Sequence, residues 1–322
     1  MTVHVVTGGA GFIGTNLVGR LLASGETVFV LDDLSLGRME NLQPFATNPG
    51  FAFHRIDCSE PVSYREMMTA LHCREPITDV WHLAANSDIS SGIADPRIDL
   101  RRTFLTTFET LACMRALEIP RLHFASSSAI YGDQADCAIT EEQGSLEPVS
   151  HYGAMKLASE AQIRAAVESG LECADIFRFP NVVGTPATHG VIYDLVRKGI
   201  ATPDGFEVLG DGTQKKIYLH VDDLVDAMLF IAGHAGGRYN VFNIGPDDEG
   251  VTVAKIAEAV RDRVCPGAKI RYGDGTKGWT GDVPRFRYST KRLTGLGWHP
   301  KTGSEGAVSR AIDEIVRQQA MQ

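Results

Sequence analysis

The chain has 322 residues, of which 43% are hydrophobic and 22% are charged, and its formal net charge is −9 at pH 7. This composition is typical of a globular protein with one large core or two joined ones. The acidic balance, without any basic run, argues against nucleic acid as a partner. No apolar segment is long enough to cross a membrane, and the six cysteines indicate neither a metal site nor a disulfide framework. We expect a cytoplasmic protein, because the first strand begins at Val3 and leaves no room for a signal peptide.

The first 32 residues carry the pattern of a dinucleotide-binding unit. Val3–Thr7 is an apolar run typical of a buried parallel strand, and Phe12–Ala23 has helical periodicity. Between them lie three glycines at a spacing of three residues: Gly8, Gly11 and Gly14. Glycine lets the backbone approach a pyrophosphate, and the unpaired N–H groups at a helix start favour its negative charge. A second strand, Thr27–Leu31, leads into Asp32, at the distance where such folds place the acid that binds the ribose.

Strand and helix patterns continue to alternate through the first half of the chain. Further strands are predicted at Phe51–Ile56, Asp79–Leu83, Arg121–Ala125 and Cys173–Phe177. The helices predicted between them are about Pro61–Leu71, Asp99–Leu117 and Tyr152–Glu168. This alternation predicts an α/β fold, a doubly wound parallel sheet of the Rossmann type.

The pattern loosens after Pro180, where several turns with glycine and proline break the chain into short pieces. A helix is predicted around Asp222–Ala232 and a strand at Asn240–Ile244, and the tail from Val251 gives a helix, a short strand and a terminal helix. We expect residues 1–179, with about 217–249, to form the dinucleotide-binding Rossmann domain. Residues from about 180 to 216, with 250–322, would form a smaller, mostly C-terminal α/β domain for the substrate.

The predicted helix at Tyr152 carries candidate catalytic groups. Tyr152 and Lys156 are four residues apart and share a helix face, which brings the ammonium group beside the phenol. The pKa of a free tyrosine is about 10, and a positive charge on lysine or on a nicotinamide ring lowers it and favours the phenolate. Three serines follow the fifth predicted strand. We predict that Ser127 bridges the substrate oxygen and Tyr152, while Ser126 satisfies hydrogen bonds of the turn.

Seven motifs occur together in one order. They are T-G-G-A-G-F-I-G (7–14), H-L-A-A (82–85), S-S-S-A-I-Y-G (126–132), Y-G-A-M-K (152–156), R-F-P-N-V-V-G (178–184), G-D-G-T-Q-K-K-I-Y-L-H-V-D-D (210–223) and G-D-V-P (281–284). On these motifs the chain resembles the extended short-chain dehydrogenase/reductases, nearly from end to end. Within them it is most similar to the NAD-dependent nucleotide-sugar epimerase/dehydratase family, and there to the UDP-glucose (UDP-galactose) 4-epimerases. The resemblance implies NAD as the cofactor and a UDP-sugar as the substrate.

The resemblance also implies a role for each matching residue. Tyr152 would be the base, Lys156 would hold down its pKa, and Ser127 would bridge. The residues that it assigns to NAD are Gly8, Gly11, Phe12, Ile13, Gly14, Asp32, Asp33, Ser35, Gly37, Asp57, Cys58, Leu83, Ala84, Ala85, Tyr152, Lys156 and Pro180. Those that it assigns to the nucleotide-sugar are Ser87, Ser127, Ser128, Tyr152, Asn181, Val191, Lys216 and Asp282. An acid at Asp32 would repel a 2′-phosphate, so NAD is expected rather than NADP.

Four positions depart from the family's usual pattern. Trp279 stands where an arginine often precedes the G-D motif, so neutralisation of the diphosphate would fall more heavily on Lys216. Lys216 itself replaces an arginine, which keeps the charge but loses the two-pronged geometry. Thr103 replaces an asparagine, and the segment Gly184–Pro186 lacks the family's arginine. These last two changes affect the expected cofactor and sugar pockets.

The family offers several reactions, all of which begin with removal of hydride from C4 of the sugar. Dehydratases usually carry Asp-Glu directly after the catalytic Ser or Thr, and decarboxylases carry a glutamate nearby, but this chain has Ser128 and Ala129. Without an extra acid or base the ketone can only be reduced again, which inverts C4 and consumes no net NAD. We therefore expect 4-epimerisation of a UDP-hexose. The alternatives are a UDP-glucuronate or other NDP-sugar 4-epimerase, then a 4,6-dehydratase or decarboxylase, and last a non-catalytic NAD-sensing protein.

A homodimer is also expected from the resemblance. In the family, the helices that correspond to Asp99–Leu117 and Tyr152–Glu168 pair across a two-fold axis into a four-helix bundle. An apolar stripe on the first of these helices is consistent with that pairing, and equally with packing against the sheet: Leu105, Phe108, Leu111 and Ala112.

Overall fold

The structure is a computed structural model that describes residues 2–134, 138–275 and 287–321. Its strands are β1 (Val3–Thr7), β2 (Thr27–Asp32), β3 (Phe51–Arg55), β4 (Asp79–His82), β5 (Arg121–Ala125), β6 (Ala138–Ile139), β7 (Cys173–Arg178), β8 (Asn181–Val183), β9 (Gly205–Val208), β10 (Lys215–Lys216), β11 (Tyr218–His220), β12 (Tyr239–Asn243), β13 (Val251–Thr252), β14 (Lys269–Tyr272) and β15 (Arg287–Tyr288). Its α-helices are α1 (Phe12–Ala23), α2 (Pro61–Arg74), α3 (Ile89–Ala94), α4 (Pro96–Asp99), α5 (Thr106–Ala116), α6 (His151–Glu168), α7 (Val191–Ala201), α8 (Val221–His234), α9 (Val253–Val264), α10 (Lys291–Leu296) and α11 (Ser304–Ala320). Short 3₁₀ turns lie at Met39–Phe45 and Ser128–Ile130, and a π-helical stretch lies at Leu100–Leu105.

Contacts within the chain divide it into two compact units. The first consists of residues 1–130, 150–178 and 228–242, and the second of residues 131–149, 179–227 and 243–322. Residues 131–149, 217–227 and 243–249 thus belong to the second unit, although the sequence pattern groups them with the dinucleotide-binding domain. The roles expected of the two domains stay predictions.

The first unit is built on a seven-stranded sheet in the order β12-β7-β5-β4-β1-β2-β3. The strand pairings from β3 across to β7 are parallel. The order reverses between β1 and β4, the kind of switch point at which such sheets bind ligands, outside the carboxyl ends of their strands. The predicted doubly wound parallel sheet is confirmed, and its six predicted strands agree with the structure to within one residue at each end.

One face of this sheet is covered by α2, α5 and α6. Alternate strand residues, among them Val5, Phe29 and Val80, are buried with Tyr64 of α2 and Ile163 of α6 in one hydrophobic core. The helix α1 packs separately against β1 and β2. Because the strands are fixed on these helices, the residues that follow the strand ends are held at defined positions.

The helix predicted over Asp99–Leu117 is present, but its first part, Leu100–Leu105, is π-helical and only Thr106–Ala116 is α-helical. The hydroxyls of Thr106 and Thr107 donate to the carbonyl groups four residues before them, at 3.1 and 3.0 Å. Such side-chain bonds compete with the helical backbone bonds and bend helices. The hydrophobic period that predicted one helix does not register this competition.

The first unit also buries a row of charged side chains across three neighbouring strands. His123 on β5 bonds Asp79 on β4 and Asp175 on β7, each at 2.9 Å. Burial alone lowers the pKa of His123, but its hydrogen bonds with the two carboxylates outweigh burial and raise it. Burial has the opposite effect on Asp79 and raises its pKa, yet the hydrogen bond and charge of His123 bring that pKa down to about 2. The arrangement therefore favours a protonated imidazole between two carboxylates.

The second unit has a core of its own. Its helices α7, α9 and α11 pack on one another, and they contact the parallel strand pairs β8–β11 and β9–β14. Val196, Ile256 and Ile312, one from each helix, are fully buried in this core. Among the described helices of both units, none is long and apolar enough to span a bilayer.

Candidate active site

The turn after β1 is shaped by glycines. Gly8 has a φ of +69°, a left-handed backbone that favours glycine, and a Cβ there would lie 2.8 Å from the backbone nitrogen of Ala84. A Cβ on Gly14 would overlap the carbonyl oxygen of Gly8. No side chain caps the start of α1, so the N–H groups of its first turn are available to a phosphate. This start consists of three residues that the sequence analysis assigned to NAD: Gly11, Phe12 and Ile13.

Asp32 ends β2 and ties that strand to the glycine turn. Its carboxylate accepts hydrogen bonds from the backbone N–H groups of Ala10, at 3.0 Å, and of Leu34, at 2.8 Å, and burial raises its pKa. A Cβ on Gly37 would lie 2.9 Å from both carboxylate oxygens, so this glycine lets the chain pass directly over Asp32. Each oxygen keeps acceptor capacity for a further donor such as a ribose hydroxyl. Two more of the predicted residues lie in the turn after β2: Asp33 and Ser35.

Asp57 and Cys58 follow β3 but differ in what they offer a ligand. Burial raises the pKa of Asp57, but hydrogen bonds from Ser59 and Arg101 lower it on balance. Cys58 is buried in the hydrophobic core, and burial raises the pKa of its thiol well above the usual range. Its side chain is therefore a packing group, and a ligand could meet its backbone alone. The half-buried segment Leu83–Ala85 directly follows β4.

The helix α6 presents Tyr152 and Lys156 on one face. Its N-cap is Ser150, whose hydroxyl accepts a hydrogen bond from the N–H of Gly153 at 3.1 Å. Because this cap starts the helix at His151, Tyr152 lies in its first turn, and Lys156 lies one turn further along.

Lys156 is held in the interior next to Tyr152. Its side chain is 1% exposed, and its Nζ donates to the carbonyl oxygen of Ala125 at 2.5 Å. The same Nζ lies 4.6 Å from the ring centroid of Phe124 and 5.8 Å from that of Tyr152. Ser127, two residues beyond β5, lies close enough to Tyr152 that its hydroxyl lowers the pKa of the phenol. The structure thus brings together the three residues predicted to be catalytic.

Burial dominates the protonation of this group. It raises the pKa of Tyr152 to about 12, a rise that the hydrogen bond with Ser127 opposes and the charge of Asp99 adds to. Burial also lowers the pKa of Lys156 to about 7, although the charge of Glu160 raises it. Without bound NAD, desolvation of the phenolate is the largest influence on Tyr152. The expectation that Lys156 holds down the pKa of Tyr152 stays a prediction.

Glu160 continues this face of α6 and pairs with Arg178 of β7, and the sequence analysis missed both. Glu160, one turn beyond Lys156, accepts hydrogen bonds from Arg178 at 3.0 and 2.6 Å, and from the hydroxyl of Ser126 at 2.5 Å. Arg178 is the last residue of β7, and both members of this ion pair are buried. The signal for Glu160 was its place in the four-residue repeat that starts at Tyr152. No spacing rule indicated Arg178 as its partner.

A histidine connects the glycine turn to α6. His82 is fully buried, and burial, with the charge of Lys156, lowers its pKa to about 3, so its ring is neutral. The ring nitrogens bond the hydroxyls of Thr7, at 2.8 Å, and of Thr107, at 3.1 Å. The hydroxyl of Ser159 on α6 reaches Thr107 at 3.1 Å. This buried network fixes the position of α6 relative to β1, the strand that precedes the glycine turn.

Thr103, which replaces the family's usual asparagine, holds the backbone after β4. Its hydroxyl is buried and accepts a hydrogen bond from the N–H of Asn86 at 3.2 Å, which holds the backbone just after the H-L-A-A motif. Ser87, the next residue, is exposed. Ser128 is half-buried at the start of the 3₁₀ turn that follows Ser127.

The other residues assigned to the cofactor or sugar belong to the second unit or lie outside the described residues. Pro180 is buried, Asn181 is the exposed first residue of β8, and Val191 begins α7. Lys216 is half-buried in β10. Two residues named in the sequence analysis lie outside the described residues: Trp279 and Asp282. The binding roles of this whole group stay predictions.

Comparison with known proteins agrees with this geometry. The sequence profile of the NAD dependent epimerase/dehydratase family matches residues 4–245. A UDP-glucose 4-epimerase of Mycolicibacterium smegmatis is 28% identical over 315 residues, which are 96% of this chain and 97% of that protein. The UDP-glucuronic acid decarboxylase 2 of Arabidopsis thaliana is 28% identical over 306 residues, which are 92% of this chain and 64% of that protein.

Solved structures give the same result. The crystal structure of a UDP-galactose 4-epimerase has a TM-score of 0.85 and 31% sequence identity, and the match covers 98% of this chain and 99% of that one. The profile match includes both the glycine turn and the Tyr152–Lys156 pair, so the features that fit a dinucleotide and those that fit proton transfer lie within it. The chain therefore belongs to the NAD-dependent epimerase/dehydratase family.

Proposed function

We propose that this enzyme reversibly inverts C4 of a UDP-hexose, with NAD as its cofactor. The observation that carries the proposal is the turn after Ser127, where Ser128 and Ala129 supply no carboxylate. Elimination or decarboxylation would need a further acid or base beside the sugar. Asp99, whose charge acts on Tyr152, is fully buried and cannot serve a sugar in that role. The 4-epimerases among its relatives support the same reaction.

Residues of the first unit would hold NAD. The glycine turn and the start of α1 suit its pyrophosphate, and Asp32 suits the adenosine ribose. The segment Leu83–Ala85 and the ammonium of Lys156 would lie at the nicotinamide ribose. When bound, NAD supplies the acceptor and then the donor of the hydride at C4.

Tyr152 would take the proton of the 4-hydroxyl group and later return it. The fold alone holds the pKa of Tyr152 at about 12, so a base at neutral pH needs positive charge beside the phenol. The ammonium of Lys156 and the nicotinamide ring both provide such charge. Ser127, whose hydroxyl lowers the pKa of Tyr152, would bridge it to the sugar oxygen. Lys216 would hold the diphosphate while the 4-keto sugar presents its other face.

The test is incubation with UDP-glucose that carries deuterium at C4. We expect UDP-galactose that retains the label at C4, because the hydride leaves and returns within one site. A panel of UDP-glucose, UDP-N-acetylglucosamine and UDP-glucuronate, read by chromatography, identifies the sugar. A 4-keto-6-deoxy product, or a pentose formed with carbon dioxide, would contradict the proposal.

The matching variant is Tyr152→Phe, which removes only the phenol oxygen from a half-buried side chain. General acid–base groups contribute about 10²–10⁴ to a rate. We expect the variant to copurify with NAD like the wild-type enzyme and to lose turnover by that factor. Near-normal turnover would rule out Tyr152 as the base.

We also propose that the enzyme is a homodimer formed through α5, α6 and the π-helical stretch. Leu100 and Phe108 are large apolar side chains that are 44% and 42% exposed, and the rings of Phe104 and Phe108 lie 6.5 Å apart. Leu111 of the predicted stripe is buried and belongs to the sheet-facing core instead. We expect Phe108→Glu to convert a dimer to a monomer in light scattering at micromolar concentration. A wild-type mass near 34.9 kDa would contradict the dimer.

A cytoplasmic location completes the proposal. The cysteines of the described residues are free thiols, as a reducing compartment favours: Cys58, Cys73, Cys113, Cys173 and Cys265. Fractionation of producing cells should recover the epimerase activity with cytoplasmic markers. Recovery with secreted or surface proteins would contradict this location.

A further inference from the structure

A closed ring of hydrogen bonds joins the loop after β3 to an arginine from another part of the first unit. Oδ1 of Asp57 accepts hydrogen bonds from the N–H and the hydroxyl of Ser59, at 2.8 and 2.6 Å. Oδ2 of Asp57 accepts one from Nη2 of Arg101 at 2.8 Å, and Nε of Arg101 donates to the hydroxyl of Ser59 at 3.1 Å. Because the guanidinium is planar and rigid, these two bonds fix the direction in which the carboxylate of Asp57 faces.

The ring determines where this carboxylate can bind a ligand. A carboxylate oxygen has about two acceptor positions. Ser59 takes both positions on Oδ1, and among the described residues Arg101 is the donor to Oδ2, where it takes one. Burial raises the pKa of Asp57, but the bonds from Ser59 and Arg101 lower it on balance, so the group is an ionised acceptor. A ligand that donates a hydrogen bond would therefore meet the oxygen that Arg101 holds.

Arg101 reaches this loop from the π-helical stretch Leu100–Leu105. Short π-helical segments are frequent at functional sites. The same stretch carries Thr103, whose hydroxyl holds the N–H of Asn86 after β4, so one irregular segment connects the loops after two strands. Arg101 also bonds Glu60 at 2.7 Å, but both side chains are more than half exposed. Ion pairs this exposed contribute little to folding stability, which leaves the precise orientation of Asp57 as the main effect of the ring.

The loop after β3 lies beside the place where the adenosine of NAD is expected. β3 is the neighbour of β2 in the sheet, and the N–H of Ile56 bonds the carbonyl oxygen of Asp32 at 3.0 Å. In the proposed cofactor site Asp32 holds the adenosine ribose, and the adenine is attached directly to that sugar. Adenine carries a hydrogen-bond donor in its 6-amino group. This group is the kind of donor that Oδ2 of Asp57 can still accept.

We propose that Arg101 is a positioning residue for cofactor recognition, which holds Oδ2 of Asp57 toward the 6-amino group of adenine and so makes the site selective for an adenine dinucleotide. This inference rests on the NAD site proposed for the first unit. A base with a carbonyl oxygen at that position would set two acceptors against each other and lose the hydrogen bond. The effect of Arg101 therefore falls on the choice of dinucleotide, and proton transfer at Tyr152 does not depend on it.

The test compares NAD with nicotinamide hypoxanthine dinucleotide, which has a carbonyl oxygen in place of the amino group. The purified enzyme is equilibrated with an excess of an equal mixture of the two and gel-filtered, and the dinucleotides released on denaturation are quantified by chromatography. The wild type should retain about tenfold more NAD than analogue, as expected for one hydrogen bond to a charged acceptor. Arg101→Met keeps the apolar stem and removes the guanidinium. The ratio should then fall by about threefold or more, because a carboxylate that can turn keeps only part of that bond.

Controls separate recognition of the base from a general effect on the fold. Arg97→Met is the matched control, because Arg97 is exposed, pairs with Asp95 at the start of α4 and lies outside the ring, so its ratio should equal that of the wild type. A merely structural role for Arg101 would lower retention of both dinucleotides and leave the ratio unchanged, and that result would overturn the inference. Equal retention of the two by the wild type would overturn it as well.

A second variant covers the case in which Arg101→Met does not fold. Ser59→Ala opens the same ring by removing the hydroxyl that bonds both Asp57 and Arg101, so the ratio should fall in the same direction. An unchanged ratio in folded Ser59→Ala would contradict the inference. The measurement uses no sugar substrate, so its result is independent of whether UDP-hexoses are epimerised.

Discussion

The buried charged row across the sheet makes a quantitative prediction about stability. His123→Gln keeps a side chain that can donate to one carboxylate but removes the second donor and the positive charge. Asp79 and Asp175 are each 2% exposed, so one of them loses its partner inside the sheet. Removing one member of a buried ion pair costs about 3–5 kcal/mol. Arg121 still bonds Asp79 at 2.8 Å, and Asn240 still bonds Asp175 at 2.7 Å, so we expect the lower end, about 3 kcal/mol.

The cost should depend on pH in a defined direction. The pKa of His123 is raised in the folded state, so its stabilising charge is fully present below the unfolded value of 6.5 and is lost as the pH rises through the raised value. Asp79, with a pKa lowered from 3.8 to about 2, stays ionised throughout that range and loses its contribution only as the pH falls toward 2. The difference between wild type and His123→Gln should therefore be larger at pH 6 than at pH 9.

The assay is urea unfolding at pH 6 and pH 9, followed by circular dichroism, with NAD in excess for both proteins. His299→Gln is the control, because His299 is exposed and its loss should leave the unfolding free energy unchanged at both pH values. A difference below about 1 kcal/mol at pH 6 would refute the buried ion pair as the source of stability. A difference equal at the two pH values would refute the protonated state of His123.

Three further substitutions test other parts of the first unit. Gly14→Ala places a methyl group against the carbonyl oxygen of Gly8, so the amount of NAD that stays bound through gel filtration should fall sharply. Gly233→Ala is the control, because the space around Gly233 is open and NAD should stay bound. Glu160→Gln removes the charge of the buried carboxylate that pairs with Arg178, and urea unfolding should show a loss of about 3–5 kcal/mol. Asp32→Asn removes the charge that repels a 2′-phosphate, so the preference for NAD over NADP in a binding titration should fall by about tenfold, or about 1.4 kcal/mol.

The strands were predictable from the sequence because burial on both faces leaves a simple signature. β1 and β2 are apolar runs bounded by turn residues, and their predicted bounds differ from the structure by at most one residue. The helix over Asp99–Leu117 was less predictable, since its threonine hydroxyls bond back to the helix carbonyls. Hydrophobic periodicity reports which face of a helix is buried, and it does not report where π-helical geometry replaces α-helical geometry.

The residues of the candidate site also differ in whether the sequence could predict them. Tyr152 and Lys156 were found from one local spacing, because residues four apart on a helix share a face. Arg178, which neutralises Glu160, lies on a strand eighteen residues later, and only the folded sheet brings the two together. The direction of the pKa shift at Tyr152 was also beyond the sequence, because it depends on the surroundings that the fold gives the phenol.

The arrangement of charge along α6 explains how a buried lysine can still serve the reaction. Lys156 lies between Tyr152 on one side and Glu160 on the other, and Glu160 alone would neutralise it. Arg178 binds that carboxylate through two nitrogens, and Ser126 donates to it as well. Arg178 thus offsets the charge of Glu160, so Lys156, when protonated, keeps an ammonium charge that Glu160 does not cancel. In an interior of low dielectric that ammonium opposes the charge of Asp99 and favours an oxyanion at Tyr152 or at the sugar oxygen beside it, which is where the proposed reaction develops negative charge.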